Sequence, residues 1–324
     1  MESVIYAADF IMENKSKIAV LDDYQQVALN MADWDNVKSV ADITVFSDHI
    51  ADEAKVVERL LPFNIVCVMR ERTPLTRNIL MQLPNLKLIV STGARNASID
   101  NEAVAEFNIE LKHTRYLSTG APEITWTLLM ALAKHIPQEN ANFKSGGWQQ
   151  TIGMDLAGKT IGIVGLGRVG EKIAQFARAF DMNVIAWSQN LTEEKAEALG
   201  AKLVTKEELF KQADIVTTHL VLSARTKGII GQQEFDLMKP TALFINTSRG
   251  PLVDEKALIE TLQQKKIAGA AIDVFDVEPL PADHPLRKLD NLLATSHIGY
   301  VTENTYRLFY GDTVNILNEW LDQH

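Results

Sequence analysis

Three residues in the second half of the chain carry side chains suited to hydride chemistry on a carboxylic acid: Arg249 in INTSRGPLVDE, Glu278 in AIDVFDVEPL and His297 in LLATSHIGY. Each follows an apolar run that reads as a β-strand, and in open α/β sheets the carboxyl ends of strands line the ligand crevice. Reduction of a 2-oxo acid needs a planar cation that grips the carboxylate at two points, which a guanidinium does and an ammonium does not. Arg249 is that candidate. Hydride arriving at the carbonyl carbon builds negative charge on oxygen, so a donor that titrates near neutrality is wanted, and His297 supplies one. A carboxylate on the other ring nitrogen would fix the tautomer and favour the imidazolium, a role open to Glu278. Singly, each has a plainer use: Arg249 bracing a loop, Glu278 as a solvated acid before Pro279, His297 as a surface histidine.

Upstream, the run Thr160-Ile161-Gly162-Ile163-Val164 leads straight into Gly165-Leu166-Gly167-Arg168-Val169-Gly170 and then EKIAQFARAF. That is the strand, turn and helix context a dinucleotide fingerprint requires. Gly165 suits the tight turn, Gly167 the close approach of a pyrophosphate, and Gly170 the packing of helix on strand, while the helix N-terminus offers amides and positive dipole. A tight turn with no ligand is the plainer alternative. Just before it, Gly153 to Thr160 (GMDLAGKT) fits the phosphate-loop pattern letter for letter. That loop must follow a strand and open a helix, whereas this one leads into a strand, so it reads as a coincidence.

Where an Asp or Glu ordinarily accepts the adenosine ribose hydroxyls, the strand NVIAW ends in Ser188-Gln189-Asn190. No carboxylate stands there to repel a 2′-phosphate. The expected cofactor is therefore NAD or NADP, with Ser188, Asn190 and Arg168 as candidate donors.

These groups need a scaffold, and the chain alternates short β-branched runs with amphipathic stretches, the pattern of βα units around a parallel sheet. KIAVLD, NIVCVM and LKLIVS read as strands, with helices at ADEAKVVERL and at LTRNILMQL, the latter started by Thr73-Pro74. A first α/β unit runs to about Tyr116. One long helix opened by Pro122-Glu123 then extends towards Gly146-Gly147 as a connector. A second series follows through TIGIVG, NVIAW, DIVTTH, ALFINT, AGAAIDVF and LLATSH, and Glu303 to Leu321 forms a last helix expected to return to the first unit. The fold class is α/β with two doubly wound parallel-sheet domains: a flavodoxin-like one of residues 1–116 and 299–324, and a Rossmann one of residues 117–298 that holds the nucleotide fingerprint.

Composition agrees with this. The 324 residues exceed what one core commonly supports, and 46% hydrophobic with 23% charged residues is ordinary for a globular protein. A formal charge of −10 without any Lys/Arg block argues against nucleic acid. The lone cysteine, Cys67, lies in an apolar run and reads as buried filler, so no internal disulfide forms. The first residues, MESVIYAADFIMENKSK, do not read as an export signal, and no stretch reaches membrane-spanning length. Cytoplasm is the expected location, and no metal is called for.

Taken together, GLGRVG, NTSRGPLVDEKAL, AGAAIDVFDVEP and SHIGY, in this order and spacing, resemble the D-isomer-specific 2-hydroxyacid dehydrogenase family across nearly the whole chain from Lys17. The resemblance implies an NAD(P)-dependent oxidoreductase acting on a small 2-oxo or 2-hydroxy acid, of the glyoxylate or hydroxypyruvate reductase type, with a discontinuous substrate domain and a homodimer. It implies the Arg249, Glu278 and His297 roles above. It further implies cofactor contacts at His219, Leu220, Thr226, Thr247, Ser248 and Gly299, with Asp273 on the nicotinamide carboxamide. Thr92, Gly93 and Ala94 would offer backbone amides to the substrate, and Arg70, with Arg72 nearby, would meet its distal end. Ser296 and Tyr300 depart from the family pattern, which often has proline and a small residue there, but neither is a reacting group. The additional C-terminal regulatory domain that some phosphoglycerate dehydrogenases of the family carry is not expected after His324. Two other classes stay open: a dinucleotide-sensing binding protein on this scaffold, and, from GMDLAGKT alone, a phosphotransferase.

Overall fold

A computed structural model describes residues 15–324; the sequence reading of the N-terminal 14 residues as lacking an export signal lies outside them. The chain divides into two compact units, one of the described residues up to Leu117 together with Val301–His324, the other Ser118–Tyr300.

The first unit carries strands β1 (Ser16–Val20), β2 (Ala41–Val45), β3 (Ile65–Val68), β4 (Leu88–Ser91) and β5 (Glu110–His113), and helices α1 (Asp35–Val40), α2 (Glu53–Leu60), α3 (Arg77–Leu80) and α4 (Asn101–Glu106). All pairs are parallel, in the order β2-β1-β3-β4-β5, the flavodoxin-like arrangement. The central strands β3 and β4 are buried along their whole length, as strands covered on both faces must be. Cys67 is buried on β3, and burial pushes its thiol up to about 12, so it is inert filler.

Helix α3 does not start at Thr73-Pro74. Thr76 caps it, its side chain accepting from Ile79 N, while Thr73 is buried and donates to Asp22 Oδ2 at 2.6 Å. Leu75 between them bridges to Ile99, an extended pairing that a helical turn would exclude.

In the second unit, α5 (Gly120–Ala133) and α6 (Ile136–Lys144) replace the single long helix expected there. His135 takes a left-handed backbone, φ 53°, and Pro137, which lacks the N–H that a continuing helix would need, instead sits in the first turn of a new one. The sheet comprises β6 (Thr160–Val164), β7 (Asn183–Trp187), β8 (Lys202–Leu203), β9 (Ile215–Thr218), β10 (Leu243–Asn246), β11 (Gly269–Ile272) and β12 (Leu292–Ala294). Its order is β12-β11-β10-β9-β6-β7-β8, so the sequence doubles back at β6, the switch point where Rossmann sheets bind dinucleotides. Helices α7 (Arg168–Ala179), α8 (Glu193–Ala198), α9 (Lys206–Gln212), α10 (Gln232–Leu237) and α11 (Glu255–Gln263) connect the strands. One apolar cluster unites Val216, Phe244 and Ala270 with Phe235 and Leu258, and a second unites Ile163, Ile215 and Ile245 with Leu129 and Ile173. Alternate residues of the same strands thus feed the two faces.

The GMDLAGKT segment is irregular chain and turn that runs into β6, with no helix behind it. The phosphate-loop reading ends there. Among the described residues no helix is long and apolar enough to cross a membrane. The last helix, α12 (Glu303–Leu321), belongs to the first unit, where Phe309 and Leu317 are fully buried and Arg115 binds Asp312 through its N, Nε and Nη2 at 2.9, 3.0 and 2.7 Å.

Candidate active site

Strand β6 delivers Gly165 to the switch point in a left-handed backbone, φ +104°, that strongly favours glycine, and a Cβ there would stand 2.8 Å from the carbonyl carbon of His219. Its N–H donates to Trp187 O at 2.8 Å, which sets the end of β7, and with it Ser188, Gln189 and Asn190, beside the turn. Leu166 is buried and Val169 packs against the same core, so both serve the turn's shape. Gly167 is the N-cap of α7, brings no side-chain cap, and has open space where a Cβ would be; Arg168 beside it is exposed. On the neighbouring strand end, Thr218 Oγ1 and His219 Nδ1 are buried with no hydrogen-bond partner among the described residues. Burial lowers the His219 imidazole to about 3, so it is neutral, and its Nε2 shares a hydrogen bond with Thr217 Oγ1 at 2.9 Å. An open, uncapped helix N-terminus beside two orphaned polar atoms fits a polar, anionic dinucleotide.

Strand β10 ends at Asn246, whose side chain organises the next turn: its Nδ2 donates to Arg249 O at 3.0 Å and its Oδ1 accepts from Ser248 N at 3.1 Å. Ser248 Oγ donates to Thr218 O at 2.7 Å, and Thr247 Oγ1 lies 2.6 Å from Thr125 Oγ1 on α5. The turn therefore presents Arg249 part-buried, with Nη1 on Ser248 O at 2.7 Å. Directly behind, Gly250 packs on the chain after β11: a Cβ at this position would stand 2.1 Å from Phe275 C. This close approach joins the arginine loop to the loop that bears Glu278.

Glu278 is held at both oxygens. Oε1 accepts from Phe275 N at 2.9 Å, and Oε2 lies 2.6 Å from His297 Nδ1. A carboxylate at that distance requires the proton on Nδ1, which leaves Nε2 of the neutral ring with its lone pair, or with the second proton of the imidazolium. His297 itself has φ +54°, a backbone that costs a non-glycine residue about 1–3 kcal/mol, and its ring meets Tyr300 edge-on at 5.4 Å. Asp273, buried at the end of β11, accepts from Thr295 Oγ1, Ile298 N and Gly299 N at 2.6, 2.8 and 2.8 Å.

Of the sequence-derived candidates, Glu278 and His297 are in contact, and Arg249 reaches their loop through Gly250. Others are engaged differently than the sequence suggests. Thr226 Oγ1 donates to Val221 O and accepts from Ser223 N, bracing its own loop, and Leu220 packs against the core. In the first unit, Gly93 N donates to Thr114 Oγ1 at 2.8 Å and Thr92 N to Val68 O at 3.1 Å, so neither amide is free for a ligand. Ala94 is exposed at the next position. Arg70 has its backbone N on Thr92 Oγ1, its Nη1 on Thr92 O and its Nη2 3.4 Å from Glu71. Arg72 is a brace, donating to Asp22 O at 2.7 Å and stacked over Tyr24. Asn246 and Thr295 were missed by the sequence reading; a polar residue at a strand end, where its side chain can replace backbone partners, is the signal that marks them.

Two parallel sheets, a glycine turn at the switch point, and an acid–imidazole pair one loop from an arginine define a dinucleotide-binding α/β scaffold with a candidate active site. Residues 126–299 match the family model "D-isomer specific 2-hydroxyacid dehydrogenase, NAD binding domain". The chain is 37% identical over 295 residues to a D-3-phosphoglycerate dehydrogenase of Methanocaldococcus jannaschii, covering 90% of this chain and 55% of that protein. It is 33% identical over 282 residues to a glyoxylate reductase of Aeropyrum pernix, covering 84% and 81%. A solved phosphoglycerate oxidoreductase of Vibrio cholerae o395 superposes with a TM-score of 0.90 at 37% identity, over 95% of this chain and all of that one. The chain belongs to the D-isomer-specific 2-hydroxyacid dehydrogenase family, and its second unit is an NAD(P)-binding domain. It spans about half the length of the first phosphoglycerate dehydrogenases it matches.

Proposed function

We propose that this protein transfers a hydride between NAD(P)H and a small 2-oxo or 2-hydroxy acid, glyoxylate and hydroxypyruvate being the first substrates to try. The observation that carries the reading is the 2.6 Å contact of His297 Nδ1 with Glu278, which fixes the ring so that Nε2 can exchange a proton. The bound nicotinamide would supply or accept the hydride. Arg249 grips the substrate carboxylate through its planar fork. His297 Nε2 gives its proton to the carbonyl oxygen in reduction and takes it back from the hydroxyl in oxidation, while Glu278 stabilises the charged ring. The cofactor contacts proposed are the 165–170 turn, Ser188, Gln189 and Asn190, His219, Thr247 and Ser248, with Gly299.

The first unit, closed by α12, is proposed as the substrate domain, with Arg70 and Ala94 as its contributions, and the second as the cofactor domain. Support for Arg70 is its cationic side chain, though Glu71 partly neutralises it. A cytoplasmic homodimer is proposed with them. Its support is the exposed apolar surface at Ile136, Phe143, Trp148 and Ile152 on α6 and the segment after it, in the second unit.

The test is oxidation of NADH and of NADPH, followed at 340 nm, with glyoxylate, hydroxypyruvate, pyruvate and phosphohydroxypyruvate. Turnover of any one supports the reading. Silence across the panel with dinucleotide still bound would replace it with a sensing role.

A further inference from the structure

The family resemblance casts Asp273 as a cofactor contact, yet three of the four acceptor positions on its buried carboxylate are filled from within the protein. Oδ1 takes Thr295 Oγ1 and Ile298 N, and Oδ2 takes Gly299 N. These donors come from both sides of His297, two residues before it and one and two after. His297 has a left-handed backbone, φ +54°, whose cost to a non-glycine residue the surrounding turn must offset. The carboxylate sits at the end of β11, whose Asp273 N is itself bonded to Asn246 O at 3.0 Å, so the clamp is anchored in the sheet. Thr295 N, bonded to Ile272 O at 3.0 Å, anchors the start of the same turn.

We propose that Asp273 is a positioning residue for His297: its carboxylate gathers the 295–299 turn and thereby aims the imidazole at Glu278. This rests on the acid–base role proposed for His297. A carboxylate is needed rather than an amide. Both oxygens accept from backbone N–H groups, so whichever way an asparagine turned, its NH2 would face a donor.

The test uses the full chain with Asp273→Asn and Thr295→Val. The valine variant removes one donor from the clamp and leaves the Asp273 carboxylate intact; a residue that acts on the cofactor would be indifferent to it. Three quantities are read: kcat with the best substrate of the panel, the NADH dissociation constant by fluorescence titration, and the His297 ring cross-peak in a ¹³C-histidine spectrum, assigned by its loss in His297→Ala. The expected result is a kcat lower by about 100-fold in Asp273→Asn and about tenfold in Thr295→Val, the scale of a misplaced catalytic group. The NADH constant should stay within about threefold, and the His297 cross-peak should shift or broaden in both variants. NADH binding weakened with the His297 cross-peak unmoved would overturn the proposal and return Asp273 to the cofactor. Should no 2-oxo acid be turned over by the unmodified protein, the functional reading fails, and the cross-peak alone decides the clamp. Should Asp273→Asn not fold, Thr295→Val carries the same decision.

Discussion

His297 Nδ1 and Glu278 Oε2 lie 2.6 Å apart, and the other oxygen of the same carboxylate accepts from Phe275 N. The backbone thus sets the carboxylate, and the carboxylate sets the ring. Glu278→Gln keeps the size but removes the charge that balances an imidazolium. Whichever amide atom faces Nδ1, one of the two contacts is compromised. The expected outcome is a fall in kcat of about 10²- to 10⁴-fold with KM changed little, because the lost interaction matters chiefly when the ring is charged. Steady-state kinetics with glyoxylate and hydroxypyruvate check it, and an unchanged kcat would remove Glu278 from the proton path.

Arg249→Lys should lower kcat/KM by about 100-fold, the equivalent of losing two charge-assisted hydrogen bonds of about 1.5 kcal/mol each. Nη1 of the native residue is tied to Ser248 O, which fixes the plane of the guanidinium. An ammonium keeps the charge and loses the plane. The measurement is kcat/KM across the acid panel, and a lysine variant within threefold of the native enzyme would place the carboxylate elsewhere.

How far the sequence led depends on burial. Strands β3, β4, β6, β9 and β10 are buried, and their β-branched runs announced them. Strands β2, β5 and β8 did not stand out, and all three lie at sheet edges, where half the positions face water and the apolar signal dissolves into Asp42, Thr44, Lys112 and Lys202. Glu278 and His297 were legible as residue types at strand ends. That Gly93 N is spent on Thr114, or that Asp273 is surrounded by donors from the histidine turn, was not, because such bonds join residues 21 to 26 positions apart and leave no local pattern.

Gly250→Ala tests the seam between the arginine loop and the glutamate loop. The added Cβ would meet the Phe275 backbone, which cannot rotate aside as a side chain could. Since Phe275 N holds Glu278, the loop must move and take the carboxylate with it. Stability should fall by about 1–3 kcal/mol, with kcat lowered as well. Thermal melts beside kinetics check both, and a variant that melts early while keeping its kcat would show that the seam is structural only.

Gln189→Asp should turn the cofactor preference towards NADH. The residue follows β7, whose Trp187 O accepts from Gly165 N, so it stands beside the nucleotide turn without contributing a charge. A carboxylate there accepts the ribose hydroxyls and repels a 2′-phosphate. NADPH affinity should drop by about tenfold while NADH affinity holds or improves. Parallel fluorescence titrations read this directly, and equal losses for both dinucleotides would place the ribose elsewhere.

Asp312 offers a test of the first unit that does not involve chemistry at all. Its carboxylate receives the Arg115 guanidinium and the Arg115 backbone N–H, joining the chain just before the unit boundary to α12. The Arg115 hydrogen bond holds the Asp312 carboxyl below the ordinary carboxylate range. A group whose pKa is depressed by folding stabilises the folded state above its unfolded value and stops doing so as pH falls through the folded one. At neutral pH Asp312→Asn should therefore melt lower than the native protein by about 2 °C, a small effect because Arg115 is largely exposed to solvent. As the pH is taken down through the acid range, the native carboxylate is itself protonated and the difference should shrink. Melting curves of both proteins from neutral to acidic pH decide the matter: a gap that stays constant with pH would mean that the asparagine disturbs packing on α12 rather than removing an ion pair.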